Sequence, residues 1–316
     1  MMEPRTLGFV EESCNGHLIA GERSASVRHI CTDSRLAKPG DLFVAIRGDR
    51  FDGHDYLNDA LGQGAEAAVV NRSRLGQAES AGPMIGVDET RCALGQLAAR
   101  YRQDFELPVV AVGGSNGKTS TKEILATVLG QRLETLSSEA SFNNDIGVPL
   151  TLLRLRESHE AAVLEVGSNH PGELEPLLQL IGPRYGVLTS IGREHLEFFE
   201  DIEGVIEEEG ALAEALPPEG CLFVNGDIEG LEAIRARCRA TVVTVGEGDA
   251  CDWRIAGIES EDGGTNFKII SPKGDRNGAY CVNLLGHQNA RNAALAIALA
   301  AELGLSREEL DQGLQR

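Results

Sequence analysis

Hydrophobic and polar residues form short alternating runs along the first part of the chain. Residues 41–46 are mostly apolar and end at the turn Arg47-Gly48-Asp49, and residues 65–70 form a second apolar run after a stretch with helical spacing. Short apolar runs bounded by turn residues are typical of buried strands. The pattern therefore predicts a small α/β domain over residues 1–86.

The stretch that follows has the spacing of a helix. Leu94, Leu97 and Tyr101 recur at intervals of three and four residues, and Leu107-Pro108 marks a stop because proline does not continue a helix. We predict a linker helix over residues 87–107, with a second domain over residues 108–316.

After Pro108 the pattern changes to strand, glycine-rich turn and helix. The strand is predicted at residues 109–112 and the helix at residues 119–129. Further buried strands are predicted at residues 161–166, 185–189 and 221–225. Strands that alternate with helices predict an α/β fold with a mostly parallel sheet covered on both faces.

The last part of the chain has a different pattern. Three apolar runs, at residues 253–258, 267–270 and 279–284, alternate with turn residues and predict a small antiparallel patch. An alanine-rich stretch over residues 289–303 then predicts a long helix, and a second helix follows over residues 307–314.

Composition and charge exclude several classes of protein. The 316 residues are 42% hydrophobic and 25% charged, which excludes disorder as the main state. Asp and Glu number 49 against 29 Lys and Arg, so the net charge is −20. Such a chain repels polyphosphate backbones and anionic bilayers, and we therefore predict neither a nucleic acid nor a membrane as partner.

The cysteines and the N-terminus indicate a cytoplasmic protein. Seven cysteines are scattered along the chain without a C-x-x-C pair, which is typical of reduced thiols. The first five residues lack the basic start of a secretion signal, and the longest apolar run, residues 293–301, is too short to span a bilayer.

The strongest chemical signal is the turn between residues 112 and 120. Backbone N–H groups in such a turn bind phosphate, a lysine adds charge toward the β and γ phosphates, and a threonine hydroxyl reaches Mg²⁺. A strict phosphate loop has glycine where this chain has Val112, so the loop is a variant, and a purely structural turn is the alternative. We predict a phosphate-loop ATPase domain whose ATP contacts are Gly114, Ser115, Asn116, Gly117, Lys118, Thr119 and Ser120.

A phosphate loop needs a further metal ligand from a neighbouring strand. Glu165 directly follows the buried residues 161–164, which deliver it to the carboxyl-terminal edge of the sheet where ligands collect. His195 follows strand 185–189 by a few residues and is a second candidate. A solvated strand-end Glu165 and a packed His195 are the alternatives.

Four stretches of the chain resemble the Mur ligase family of peptidoglycan synthesis. They are Thr32-Asp33-Ser34-Arg35 with residues 39–43 and 51–54, the loop 114–121, the run 142–151 (FNNDIGVPLT) and the run 286–293 (GHQNARNA). They occur in the family's order, and the run 142–151 is similar to the branch that adds D-alanyl-D-alanine.

The resemblance implies an ATP-dependent amide ligation that requires Mg²⁺. Similar enzymes transfer the γ-phosphoryl group of ATP to the C-terminal carboxylate of UDP-N-acetylmuramoyl-tripeptide, and the amine of D-alanyl-D-alanine attacks the acyl phosphate. Phosphorylation is needed because the oxygen of a free carboxylate is a poor leaving group. We also predict a monomer.

Site residues follow from the resemblance by position. Lys118, Glu165, His195 and Glu209 are the implied catalytic residues, and Thr119, Glu165 and His195 are the implied metal ligands. Asn289 and Asn292 match the pair on the adenine side, although helix caps are the alternative. Ser34 and Arg35 match positions near the uridine diphosphate, and Asn143 and Asn144 are implied to contact substrate.

Glu209 marks a departure from the family. Many Mur ligases carry a carbamylated lysine at this position, just before Gly210. We hypothesise that the Glu209 carboxylate supplies the same negative charge without CO₂. The alternative is that Glu207, Glu208 and Glu209 form a solvated helix face, since successive helical residues point about 100° apart.

Similar ligases have a third, C-terminal domain that binds the incoming amine and closes over ATP. We expect this domain to be absent from the chain, which alone would have little ligase activity. The alternatives are a phosphate-loop kinase or NTPase and a non-catalytic nucleotide-binding module. The third residue of the acceptor peptide is not visible in the sequence.

Overall fold

The computed structural model describes residues 2–77, 82–192, 199, 201–261 and 263–316. Two compact units make up the chain: the first comprises Met1–Glu106 and Asp145–Glu157, and the second Leu107–Asn144 and Ser158–Arg316. His195, the predicted second metal ligand, lies outside the described residues.

The elements alternate between strands and helices through most of the chain. The strands are β1 (Arg5–Thr6), β2 (His17–Ala20), β3 (Ser26–Val27), β4 (His29–Cys31), β5 (Asp41–Val44), β6 (Ala67–Asn71), β7 (Met84–Val87), β8 (Val109–Gly113), β9 (Thr135–Ser137), β10 (Ala161–Glu165), β11 (Tyr185–Leu188), β12 (Cys221–Asn225), β13 (Thr241–Gly246), β14 (Trp253–Glu261), β15 (Gly264–Ile270) and β16 (Gly278–Val282). The described α-helices are α1 (Leu7–Ser13), α2 (Leu57–Gly62), α3 (Thr90–Arg102), α4 (Lys118–Leu129), α5 (Gly147–Leu152), α6 (Leu174–Ile181), α7 (Ile202–Ala215), α8 (Leu231–Arg237), α9 (His287–Glu302) and α10 (Arg307–Leu314).

The first unit is built on a five-stranded sheet in the order β2-β7-β6-β5-β4. Strands β4 to β7 are parallel, and β2 pairs antiparallel with β7 at the edge. One core cluster includes Phe43, Val70 and Leu57, which join strands β5 and β6 to helix α2. The small α/β domain that the sequence predicts is therefore present.

The domain boundaries from the sequence differ from these units in two places. Helix α3, predicted as a linker, is part of the first unit because the buried Tyr101 hydroxyl donates to Leu155 O (2.7 Å) and accepts from Glu3 N (2.7 Å). The segment Asp145–Glu157 also belongs to the first unit, although the chain has by then entered the second.

The second unit is built on a nine-stranded sheet in the order β16-β15-β14-β13-β12-β11-β8-β10-β9. Its neighbours from β9 to β14 pair in parallel, and β15 and β16 add antiparallel strands, which confirms the predicted α/β class with an antiparallel patch. Helix α4 packs closely on the alanine-rich helix α9 within one core. The small alanine side chains of α9 leave room for this packing.

The structure also bears on the cysteines and on membrane-spanning helices. All seven cysteines are free thiols, as their spacing predicts. Among the described residues, no helix has the length and apolar character needed to cross a bilayer.

Candidate nucleotide site

The carboxyl ends of three neighbouring parallel strands bring the predicted chemistry together. Strand β8 lies between β10 and β11, and the register places Glu165 opposite Val112 and Leu188 opposite Gly113. The loop after β8, the end of β10 and the segment after β11 therefore meet at one edge, where ligands of open α/β sheets bind.

Two glycines give the loop its shape. Gly114 has φ of +113°, and a Cβ there would lie 2.4 Å from Thr189 Oγ1. Gly117 has φ of +87°, and a Cβ there would lie 2.8 Å from Asn292 Oδ1. Positive φ and close neighbours together require glycine at both positions.

The segment after β11 anchors this loop. Ser115 N donates to Ser190 O (2.9 Å), Asn116 N donates to Ser190 Oγ (2.8 Å), and Thr189 Oγ1 donates to Asn116 O (2.7 Å). The sequence predicts phosphate contacts along the whole loop, but the N–H groups of Ser115 and Asn116 are used internally. Within the described structure no side chain caps the start of α4, so its first-turn N–H groups are the ones oriented for an anion.

Lys118 lies over the loop at the first position of α4. Its Nζ donates to Gly114 O (2.6 Å) and to Ser115 O (2.9 Å). Thr119, the next residue, is exposed, and Ser120 is half-buried. The helix start thus combines a lysine ammonium, a threonine hydroxyl and backbone donors, the groups that bind phosphate and its metal.

Glu165 ends β10 and is 1% exposed. Its Oε1 accepts from Asn143 Nδ2 (2.9 Å), whereas its Oε2 has no hydrogen-bond partner among the described residues. A Cβ on Gly167 would lie 3.1 Å from Asn143 Nδ2 and 3.6 Å from Lys118 Cε, so Lys118 and the asparagine that holds Glu165 both lie beside this glycine. A buried, unpartnered carboxylate oxygen is costly, and an oxygen-binding cation such as Mg²⁺ would satisfy it.

The metal ligands present are few. The described residues contain no group of three His, Cys, Asp or Glu side chains arranged for a metal. Glu165, the Thr119 hydroxyl, phosphate oxygens and water would have to complete the shell, which is the way Mg²⁺ is usually bound beside phosphates.

The three successive glutamates of α7 have three different surroundings. Glu209 is 7% exposed, and its Oε2 accepts from Gly114 N (2.7 Å). Glu208 is also buried and accepts from Gly172 N (2.7 Å) and Leu174 N (2.8 Å) at the start of α6. Only Glu207 is a surface side chain, paired with Arg237 (3.0 Å). A common solvated face is therefore wrong for Glu208 and Glu209.

Asn289 and Asn292, both near the start of α9, make different contacts. Asn292 is buried beside Gly117, so α9 contributes directly to the wall of the phosphate loop. Asn289 Nδ2 donates to Leu285 O (2.9 Å), just before its own helix, so this amide also stabilises the helix start.

The candidate sugar-nucleotide residues lie in the first unit. Ser34 is buried, whereas the Arg35 side chain is 85% exposed and pairs with Asp33 through Nη2–Oδ2 (2.6 Å) and Nε–Oδ1 (2.9 Å). This pairing lowers the pKa of the Asp33 carboxyl to about 2. An open cavity of about 410 Å³ in the same unit is lined by Thr32, Ile46, Gly48, Asp49, Arg50, Phe51 and Ile146.

Asn143 and Asn144 fall at the end of one segment of the second unit. Asn143 contacts Glu165, as described, while Asn144 is exposed. Sequence reasoning did not find Thr189, Ser190 or the buried Lys122, because their importance depends on which strands are neighbours. Lys122 did carry a local signal, since it lies one helical turn after Lys118.

Two domain families match the chain. The Mur ligase middle domain matches residues 112–300, and the Mur ligase family catalytic domain matches residues 26–102. A curated relative, the UDP-N-acetylmuramoyl-tripeptide--D-alanyl-D-alanine ligase of Haemophilus influenzae, is 34% identical over 302 residues, which cover 94% of this chain and 65% of the relative. The chain thus spans about two thirds of the length of that protein.

Two solved structures that are similar to this chain are also Mur ligases. MurF from Acinetobacter baumannii aligns with a TM-score of 0.91 at 32% identity, covering 100% of this chain and 68% of that one. MurF ligase from Thermotoga maritima, solved in complex with ADP, aligns with a TM-score of 0.80 at 26% identity, covering 90% and 66%.

Proposed function

This chain belongs to the Mur ligase family, and on that premise we propose that it supplies the nucleotide and acceptor sites of an ATP-dependent ligase. The ligase joins D-alanyl-D-alanine to UDP-N-acetylmuramoyl-tripeptide. The observation that carries the proposal is that Asn143, which donates to Glu165, lies beside the same glycine, Gly167, as the phosphate-loop residue Lys118. The similarity to D-alanyl-D-alanine ligases over 94% of the chain supports the choice of substrate.

The chemistry explains why such a site is needed. The γ-phosphoryl group of ATP passes to an oxygen of the tripeptide carboxylate, and ADP leaves. The D-alanyl-D-alanine amine then attacks the carbonyl carbon, so that the amide bond forms, phosphate departs and the amine loses a proton. The first step brings two anions together, and it therefore requires positive charge at the point of transfer.

Lys118 and the first-turn N–H groups of α4 bind the phosphates in this proposal, with Ser120 beside them. Thr119 and Glu165 hold Mg²⁺, which when bound neutralises charge on the phosphates and the acceptor carboxylate. We assign His195 as a further metal ligand by its position in the sequence alone. Asn292 and Asn289 form the adenine side of the nucleotide site.

In the first unit, Ser34 and Arg35 bind the diphosphate of the UDP group. An arginine fork is suited to phosphate oxygens, and Arg35 is exposed enough to exchange its Asp33 partner for a ligand.

In the second unit, Asn143 and Asn144 contact the acceptor in this proposal. We also infer that the chain binds both ATP and UDP-N-acetylmuramoyl-tripeptide.

A phosphate-loop kinase or NTPase, or a nucleotide-binding module, is not favoured. Each would account for residues 112–300 in part but leaves the match over residues 26–102 unexplained. The cytoplasmic location and the monomeric state stay predictions.

Calorimetric titration with UDP-N-acetylmuramoyl-tripeptide tests the acceptor assignment. We expect saturable binding that Arg35→Ala weakens by about tenfold or more, since a charge-assisted hydrogen bond contributes about 1.5–3 kcal/mol. Arg316→Ala, an exposed arginine at the chain end, is the matched control and should bind like the parent chain. Phosphate release from ATP that the UDP-peptide leaves unchanged, with no binding of that peptide, would favour an NTPase instead.

A further inference from the structure

Lys122 is a charged side chain that is fully buried in helix α4. Its Nζ donates to Ser138 O (2.8 Å), Ala140 O (3.0 Å) and Glu123 Oε1 (2.6 Å). An ammonium has three donors, and burying it is costly unless each has a partner. Two of the three partners are carbonyls of one short segment, so the buried charge serves to hold that segment in place.

The segment in question runs from the end of β9 to Asn143. Ala140 within it has φ of +44°, a left-handed conformation that alanine rarely adopts. The bond from Lys122 to Ala140 O helps to maintain this unfavourable turn, because it is made only while the carbonyl stays in that position. Without the ammonium, the buried carbonyl of Ser138 and the partly buried carbonyl of Ala140 would lose their charged donor.

The same segment holds Glu165 at two points. Ser138 Oγ accepts from Glu165 N (3.1 Å), and Asn143 Nδ2 donates to Glu165 Oε1 (2.9 Å). Residues 138–143 therefore connect the Lys122 ammonium, bonded at one end of the segment, to the Glu165 carboxylate, bonded at the other. The Oε2 atom of that carboxylate has no hydrogen-bond partner in the described part of the chain. Lys122 itself does not need to reach the phosphates.

We propose that Lys122 is a positioning residue that fixes the turn 138–140 so that Asn143 orients the Glu165 carboxylate for Mg²⁺. The inference rests on the proposed function, because it assigns the free oxygen of Glu165 to the metal of a bound nucleotide. Lysine fits the task because its stem is fully buried and its head supplies three donors. Methionine would fill a similar volume and supply none.

The test is the affinity for Mg²⁺ measured with the non-hydrolysable ATP analogue AMP-PCP. Calorimetry of the full chain with AMP-PCP, in EDTA and over a range of Mg²⁺ concentrations, separates nucleotide binding from metal binding. We expect Lys122→Met to weaken the apparent Mg²⁺ affinity by about 10- to 100-fold, the usual effect of losing a residue that orients a metal ligand. AMP-PCP affinity in EDTA should stay within about twofold of the parent chain, because Lys118 and α4 are unchanged.

Glu123→Gln is the matched control. It removes the charge of the one Lys122 partner outside the turn, a side chain that is 58% exposed, and should leave the Mg²⁺ affinity unchanged. Equal Mg²⁺ affinity in Lys122→Met and the parent chain would overturn the inference. So would an equal loss of AMP-PCP affinity with and without Mg²⁺, since that result indicates a general structural role.

A second measurement does not depend on the variant folding. In the parent chain, hydrogen–deuterium exchange of peptides covering residues 138–143 should be slower with AMP-PCP and Mg²⁺ than with AMP-PCP and EDTA. Unchanged exchange there would overturn the inference while leaving the proposed function intact. Failure of the parent chain to bind AMP-PCP at all would overturn both.

Discussion

At the scale of single residues, Glu209 poses the sharpest chemical question. Its carboxylate accepts from the N–H of Gly114, the residue with which the phosphate loop begins to turn. Two roles fit this position: a structural acceptor for the loop, and a fixed negative charge for the proposed metal site. Glutamine keeps the acceptor but removes the charge, so it separates the two roles.

We expect Glu209→Gln to weaken the Mg²⁺-dependent binding of AMP-PCP by about tenfold, because the charge near the metal is lost. Glu209→Lys should bind AMP-PCP more weakly still, and bicarbonate should partly restore that binding by carbamylating the lysine. Glu207→Gln, whose carboxylate is 80% exposed, serves as control and should bind like the parent chain. Parent-like binding by Glu209→Gln would show that the carboxylate only stabilises the loop.

At the scale of elements, Tyr101 shows how helix α3 is joined to the rest of its unit. The buried hydroxyl connects α3 to the chain start through Glu3 and to the returning segment through Leu155. Burial raises the pKa of this phenol from 10.0 to about 12. The folded state therefore disfavours the phenolate, and this contribution to stability is complete below pH 10 and is lost as the pH rises toward about 12.

Tyr101→Phe should lower the free energy of unfolding by about 1–2 kcal/mol at pH 7, since one buried and one partly buried hydrogen bond are lost. The difference from the parent chain should shrink between pH 10 and pH 12, where the parent alone carries the ionising phenol. Urea unfolding at several pH values measures both effects. A difference that is independent of pH would show that the hydroxyl does not titrate in this way.

The elements also show which features of the fold could be predicted from the sequence. The strand-loop-helix order around Lys118 was predictable, because buried runs, glycines and helical spacing are local signals. That Asp145–Glu157 belongs to the first unit could not be predicted, because tertiary packing decides whether a later segment rejoins an earlier unit. Likewise, the anchoring of Ser115 and Asn116 by Ser190 follows from strand order, which no local pattern specifies.

At the scale of the whole molecule, net charge opposes the proposed substrates. ATP and a UDP-linked peptide are both anionic, and the chain carries a net charge of −20. In the proposed function, binding therefore comes from local features that act at short range, namely Lys118, the start of α4 and the Mg²⁺ assigned to Glu165. Removing either the lysine or the metal should therefore remove most of the affinity for the nucleotide.

Titration of the chain with AMP-PCP is the most direct measurement of this claim. We predict saturable binding with Mg²⁺ that weakens by about tenfold or more in Lys118→Ala, in line with about 1.5–3 kcal/mol for a charge-assisted contact. EDTA should weaken binding to the parent chain as well. Absence of binding to the parent chain in the presence of Mg²⁺, or full affinity in Lys118→Ala, would contradict the account.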